Sequence, residues 1–256
     1  MPKIPLTVVV LTKNEQDNIV SCLKSVHGWA DEIILIDDGS TDKTVELAGA
    51  FSPVIHHRRM DNEGIHRNWG YAQAANEWVL SLDADEMVTP ELKDAISAAI
   101  TNKNIVAYSI PLRNYIGDYW VQHSGWYPAR KLRLFQKSHF KYEEVEVHPR
   151  VILDGTEGML DADIIHKGYP DFEHFLGSVN RQSTLEAAKW LRTGQNMTMG
   201  RAIRRAIDRF FRVYFKGRAF KDGLVGFMIA YFASLYQVLS YAKYCEMKKK
   251  LETRPA

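Results

Sequence analysis

Val8-Val9-Val10-Leu11-Thr12-Lys13-Asn14-Glu15, Ile33-Ile34-Leu35-Ile36-Asp37-Asp38-Gly39-Ser40 and Trp78-Val79-Leu80-Ser81-Leu82-Asp83-Ala84-Asp85 decide the reading of this chain. Each is an apolar run that stops at a polar cluster. The runs cover residues 6–11, 32–36 and 78–82, and the stretches between them can form helices. That alternation predicts parallel strands joined by helical crossovers. Ligands in such sheets bind beyond the carboxyl ends of the strands, where all three polar clusters fall.

The clusters carry nucleotide and metal chemistry. In extended backbone, residues two apart point the same way, so Asp83 and Asp85 are expected to leave the third strand side by side. Paired carboxylates suit a hard cation such as Mg²⁺ or Mn²⁺ that keeps positions open for phosphate oxygens. Asn14 is positioned to cap a helix starting near Glu15. The run Asp37-Asp38-Gly39-Ser40-Thr41-Asp42 reads as a tight turn into a second helix. The Asp38 carboxylate can accept the imide N–H of uracil, a donor that cytosine lacks. Arg67, in Gly64-Ile65-His66-Arg67-Asn68-Trp69-Gly70, offers a guanidinium to phosphate or ribose.

These residues together resemble the inverting glycosyltransferases of family 2. The resemblance rests on Val10-Leu11-Thr12-Lys13-Asn14-Glu15, Ile36-Asp37-Asp38-Gly39-Ser40-Thr41-Asp42, Arg67-Asn68 and Leu82-Asp83-Ala84-Asp85. Arg133-Leu134-Phe135, Val147-His148-Pro149-Arg150, Ile165-His166-Lys167-Gly168-Tyr169 and Asp222-Gly223-Leu224-Val225-Gly226-Phe227 narrow it. They are similar to the bacterial group containing lipopolysaccharide and lipooligosaccharide core β-1,4-glucosyltransferases. The likeness implies a GT-A fold, an α/β mixed Rossmann-like sheet flanked by helices, with a C-terminal helical extension. It also implies a nucleotide-diphosphate sugar, with Thr12, Asn14, Glu15, Asp38, Arg67, Asn68 and Asp83 around the donor. Asp85, Asp83 and His166 would then hold the metal. Pro149 stands where many members carry Glu, and Leu11-Thr12-Lys13 where relatives often read Pro-Thr-Tyr.

Inversion needs a carboxylate base on the face of the sugar opposite the leaving diphosphate. Tyr142-Glu143-Glu144-Val145-Glu146-Val147-His148 alternates, so a strand here would place Glu144, Glu146 and His148 on one face. Glu146 or Glu144 is therefore the expected base, with Glu146 first.

The remainder of the chain points to a membrane surface. At 256 residues it can hold one large α/β domain and a helical appendage. The boundary is expected near Pro170, giving a catalytic domain over 1–170 and a helical region over 171–256, with Asp171 capping a helix to about Trp190. Between residues 201 and 221 lie eight Arg or Lys residues against the single acid Asp208. On a helix, Ile203, Ile207, Phe210 and Tyr214 share one face and Arg201, Arg205, Arg209, Arg212 and Lys216 the other. That pattern suits an anionic membrane surface. No nucleic-acid-recognition fold accompanies the arginines. Residues 223–242 carry no charge, close to the roughly 20 residues a bilayer span needs. Their glycines, Ser234, Gln237 and tyrosines favour a helix in the interface or packed in a helical subdomain.

Cys22 and Cys245 have no metal spacing and read as reduced thiols, and the N-terminus leaves no room for a signal peptide. The expected protein is therefore a cytoplasmic, membrane-peripheral, metal-dependent enzyme on the inner face of the inner membrane. It would move a sugar, glucose first, from a UDP-sugar to a lipid-anchored glycan such as lipopolysaccharide core. Two alternatives stand beside this reading. A nucleotidylyltransferase would need a Gly-rich loop after the first strand, and Thr12-Lys13-Asn14-Glu15 has no glycine. An inactive carbohydrate- or membrane-binding module would not need Asp38, Asp83 and Asp85.

Overall fold

The computed structural model describes residues 3–145 and 150–252. In chain order the elements begin β1 (Ile4–Thr12), α1 (Ile19–Val26), β2 (Ala30–Asp37), α2 (Thr44–Ala48), β3 (Val54–His57), α3 (Glu63–Ala72), β4 (Trp78–Asp83), β5 (Glu86–Val88) and α4 (Pro90–Ala99). There follow β6 (Ala107–Ile116), β7 (Tyr119–Trp120), β8 (Ala129–Gln136), β9 (Phe140–Tyr142), β10 (Val151–Leu153), β11 (Glu157–Met159) and β12 (Ile164–Tyr169). Three long helices close the chain: α5 (Phe172–Arg192), α6 (Met199–Phe211) and α7 (Gly223–Glu252).

The main sheet runs β3-β2-β1-β4-β8-β6-β12-β5, with β7 and β11 also paired to β6. β1 is parallel to β2 and β4, and β2 to β3. β8 is antiparallel to β4 and to β6, and β12 to β5. This is the mixed α/β sheet with flanking helices and a helical C-terminal extension that the GT-A resemblance implied. Alternate residues of β1 explain its apolar run over Val8–Leu11. Val8 and Val10 pack in one core with Ile19, Leu23, Leu92 and Ile96 of α1 and α4. Val9 packs in another with Ile34, Ile36, Tyr71 and Phe135. A strand buried on both faces reads as a near-continuous apolar run, and the buried Thr7 hydroxyl is satisfied by donating to Glu32 Oε2 at 2.6 Å.

One local expectation changes and another holds. Asn14 does not cap α1, which starts at Ile19. Asn14 instead sits at φ 54, and its Oδ1 accepts the Thr41 N–H at 2.8 Å, tying the loop after β1 to the loop after β2. Short polar side chains tolerate that left-handed backbone. Asp171 does cap α5, accepting the His174 N–H at 2.8 Å.

The chain divides into two compact units, Met1–Arg113 with Ala129–Gly168, and Asn114–Pro128 with Tyr169–Ala256. In the second unit, Ile116, Val121, Phe175, Ile229 and Phe232 form one core cluster, and Ala187, Trp190, Met197 and Tyr244 form another. Asp222 is buried there and accepts from the backbone N–H groups of Gln122 and His123 and from the Tyr119 hydroxyl, with His123 Nδ1 3.0 Å away.

Candidate active site

Asp37 and Asp38 follow one another at the end of β2 and do different work. Asp37 shapes the turn. Its carboxylate accepts the N–H groups of Gly39 at 3.1 Å and Ser40 at 3.0 Å, and Gly39 adopts φ 74, which glycine supplies without a Cβ penalty. Asp38 faces a cavity. One oxygen accepts the Met60 N–H at 2.7 Å and the other the Lys13 ammonium at 2.8 Å. Burial works against its charge, but the Lys13 and Met60 hydrogen bonds outweigh it and hold the carboxyl below its ordinary value.

That cavity, of about 450 Å³, lies beyond the carboxyl ends of β1, β2 and β4. Thr12, Glu15, Asp38, Arg67, Asp83, Asp85 and His166 all line it. Seven sequence-predicted residues thus meet around one space. Thr12 Oγ1 is buried with no hydrogen-bond partner among the described residues, so the wall keeps a polar atom for a ligand to satisfy. Asn14 stands in the loop beside it. Asn68 is structural: its amide donates to the Tyr142 carbonyl at 2.9 Å and accepts the Tyr142 N–H at 2.8 Å, pinning β9 to α3.

The paired-carboxylate expectation needs correcting. β4 ends at Asp83, and Ala84 and Asp85 form the turn into β5, so the two side chains do not leave one extended strand together. Asp83 turns to two guanidinium groups, accepting from Arg67 Nη1 at 3.2 Å and Arg133 Nη2 at 2.8 Å. Asp85 turns to β12, where its Oδ2 lies 3.2 Å from His166 Nε2. Among the described residues, no group of three or more His, Cys, Asp and Glu side chains is placed to hold a metal ion. Asp85 and His166 remain a fitting pair. Octahedral ligands at about 2.1 Å from a Mg²⁺-sized ion lie roughly 3 Å apart.

Sequence reasoning missed Arg133 and Glu86 as a functional pair. Both are buried, and Arg133 Nη2 donates to Glu86 Oε1 as well as to Asp83. Glu86 Oε2 in turn accepts the Asp83 N–H at 3.0 Å. Burial opposes ionisation of Asp83, but Arg133 and Arg67 outweigh it and hold that carboxyl well below the usual range. For Glu86, burial wins over Arg133 and raises the carboxyl. His166 is pulled down by burial, yet its Asp85 partner more than restores it, so the ring sits above its ordinary value. The Tyr142 hydroxyl is pushed up to about 12 by burial. The signal that could have exposed the pair was a lone Arg133 inside the apolar stretch Leu132–Phe135 of β8, because a buried cation demands a buried anion.

A second cavity of about 410 Å³ shares Glu63, Arg67, Asp83 and His166 with the first and adds Leu112, Lys131, Arg133, Tyr142 and Val151. The expected base strand is also corrected here. β9 stops at Tyr142, and Glu144 lies exposed in a bend beyond it, so no strand face presents it. Glu146 and His148 fall outside the described residues. The bend lies against the start of α3, where Gly64 N–H donates to the Val145 carbonyl at 3.3 Å. A Cβ on Gly64 would come within 1.8 Å of the Glu143 carbonyl oxygen, so only glycine admits this approach.

A lipopolysaccharide core biosynthesis glycosyltransferase, LpsC of Rhizobium meliloti (strain 1021), is 26% identical over 267 residues, covering 100% of this chain and 97% of that one. An uncharacterised glycosyltransferase of Rickettsia typhi is 26% identical over 260 residues, covering 96% and 88%. Among solved structures, S. aureus TarS in complex with UDP aligns with 94% of this chain and 89% of its own, at 16% identity and a TM-score of 0.49. Glucosyl-3-phosphoglycerate synthase of Mycobacterium tuberculosis, solved with Mn²⁺, UDP and glucosyl-3-phosphoglycerate, aligns over 43% of this chain and 44% of its own, at 22% identity and a TM-score of 0.36. The family model for glycosyl transferase family 2 matches residues 7–151, more than half the chain, and the protein is a glycosyltransferase of that family.

Proposed function

We propose that this glycosyltransferase moves a sugar, glucose first, from a UDP-sugar to a lipid-anchored glycan of the lipopolysaccharide-core type, with inversion and with Mg²⁺ or Mn²⁺. The observation that carries the proposal is the cavity that Thr12, Asp38, Asp83 and Asp85, at the ends of β1, β2 and β4, line together with Arg67 of α3. The full-length likeness to LpsC supports the acceptor class. A cytoplasmic enzyme at the inner membrane follows from such an acceptor.

Each residue has a role under this reading. Asp38 receives the uracil imide, with Lys13 yielding one carboxylate oxygen to it. Arg67 and Arg133 present positive charge toward the diphosphate, and Asp83 orients both guanidinium groups. Asp85 and His166 would hold the divalent cation, which when bound neutralises charge on the leaving diphosphate. Two protein ligands leave the other positions to phosphate oxygens and water, as hard oxygen-seeking cations prefer.

UDP binding tests the nucleotide half. Asp38→Ala should weaken UDP roughly tenfold or more, the worth of one charge-assisted hydrogen bond. Isothermal calorimetry with Mn²⁺ present measures it, and unchanged affinity would remove Asp38 from the site.

The base is assigned to Glu146, with Glu144 as its neighbour. Glu146→Gln should slow transfer by about a hundredfold or more while leaving UDP affinity near wild type. If the Glu146→Gln and Glu144→Gln variants both transfer at wild-type rates, the base lies elsewhere. Glu63, which lines both cavities, is then next.

A further inference from the structure

α6 packs on α7 the opposite way round from a helix in a water-soluble bundle. Its buried residues are Ala202 and Ala206, both small. Its large apolar side chains point outward: Ile203 is 46% exposed, Ile207 55% and Phe211 56%. They lie four residues apart and form one stripe. The stripe continues through the π-helical turn over Arg212–Lys216, where Phe211 stacks on Phe215 at 5.5 Å and Phe210 on Tyr214 at 5.3 Å. It then crosses to α7, with Phe227 6.1 Å from Tyr214 and Tyr231 stacked on Phe227 at 6.3 Å. Leu224, 74% exposed, stands at the same end of α7. Exposed apolar surface of this continuity marks an interaction site.

We infer that this apolar stripe inserts into one leaflet of an anionic lipid bilayer, with α6 lying in the plane of the interface. The inference rests on the lipid-anchored acceptor proposed above and adds which face meets the lipid. Charge complementarity selects the occupant. Arg204, Arg212, Lys216, Arg218 and Lys221 are exposed around the stripe, and the acid within α6, Asp208, is paired to Arg212. Lipid phosphates satisfy such a rim, and long cationic side chains reach them while their stems stay among apolar groups. A second copy of the chain would not, because a two-fold interface would set the same cationic rim against itself.

An uncharged stretch of α7 is long and apolar enough to cross a membrane. Its contacts oppose that. Lys243 Nζ donates to the Asn180 side chain at 2.6 Å, Ser183 Oγ at 2.8 Å and Thr184 Oγ1 at 2.9 Å on α5, and α5 exposes Glu173, Arg181 and Lys189. A spanning α7 would drag those charges into hydrocarbon, where each is costly. Contact with one leaflet through the stripe involves no such transfer.

The test uses the full chain and vesicles of phosphatidylglycerol and phosphatidylethanolamine, with phosphatidylcholine vesicles as the neutral control. In a Cys245→Ser background, Ile207→Cys carries an environment-sensitive fluorophore. Its emission should shift to the blue on vesicle addition and be quenched by lipids brominated on the acyl chain. Ile207→Gln with Phe211→Gln should lower vesicle binding roughly tenfold or more, and part of the wild-type binding should survive high salt. Alkaline wash should release the protein. Vesicle binding without acyl-chain quenching would overturn insertion in favour of headgroup contact alone. Absence of vesicle binding, with sedimentation velocity showing a dimer that the double variant abolishes, would assign the stripe to a second copy. Resistance to alkaline wash would make α7 a span. Hydrolysis of soluble UDP-glucose by the double variant separates the two proposals. It should match wild type, and loss of hydrolysis in wild type itself would count against the proposed function, not the docking face.

Discussion

Replacing Asp85 with alanine should slow sugar transfer by about three orders of magnitude or more and barely move the unfolding midpoint. The Asp85 side chain lies in the turn between β4 and β5 and bonds to nothing but His166 among the described residues. Its loss therefore removes little that holds the fold. A cation bridging phosphate oxygens supplies several kcal/mol at the transition state, and each 1.36 kcal/mol is tenfold in rate. Adding a chelator to wild type should reproduce the loss, and excess Mn²⁺ should restore wild type but not the variant. Steady-state transfer assays with and without chelator check both statements. Wild-type turnover in chelator would end the metal assignment.

Replacing Arg133 with leucine should destabilise the fold by about 3–5 kcal/mol, the range seen when one partner of a buried ion pair is removed. Arg133 is 7% exposed and Glu86 1%, so the variant leaves a carboxylate in the core without its cation. Adding Glu86→Leu should recover much of the loss, since an apolar replacement of both partners removes the uncompensated charge. The pH dependence has a definite sign. In wild type, Asp83 is depressed below its unfolded value, so its contribution is present above the ordinary carboxylate range and is lost as pH falls from that range through the lower folded value. Glu86 already sits above its unfolded value through burial, and loss of Arg133 raises it further. A raised carboxyl contributes below its unfolded pKa and loses that contribution as pH rises through the folded one. The deficit of Arg133→Leu should therefore shrink on acidification from neutral pH. Urea denaturation at several pH values checks it, and a deficit independent of pH would place the cost in packing.

The same pair shows where reading the chain stopped. The strands β1, β2 and β4 were legible because their apolar runs end in polar clusters, and that order alone places Thr12, Asp38 and Asp85 at one end of a parallel sheet. The α5 cap at Asp171 was legible for a similar local reason, a short acceptor ahead of an amphipathic stretch. The Asn14 loop was not, because its partner Thr41 lies across a gap in sequence that only the neighbouring strand closes.

Local pattern carried the identity of the site, and tertiary packing decided how its charges are spent. Alternation predicted two aligned carboxylates and a base strand, but period-two geometry holds only while the backbone stays extended. At Ala84 it turns, and beyond Tyr142 it bends. Asp83 consequently belongs to Arg67 and Arg133, which approach from α3 and β8, fifty residues away along the chain in the second case. Periodicity likewise drew the two faces of α6 without saying which one faces α7. The alanines took that place because small side chains let two helices approach closely, which left the isoleucines and phenylalanines outside.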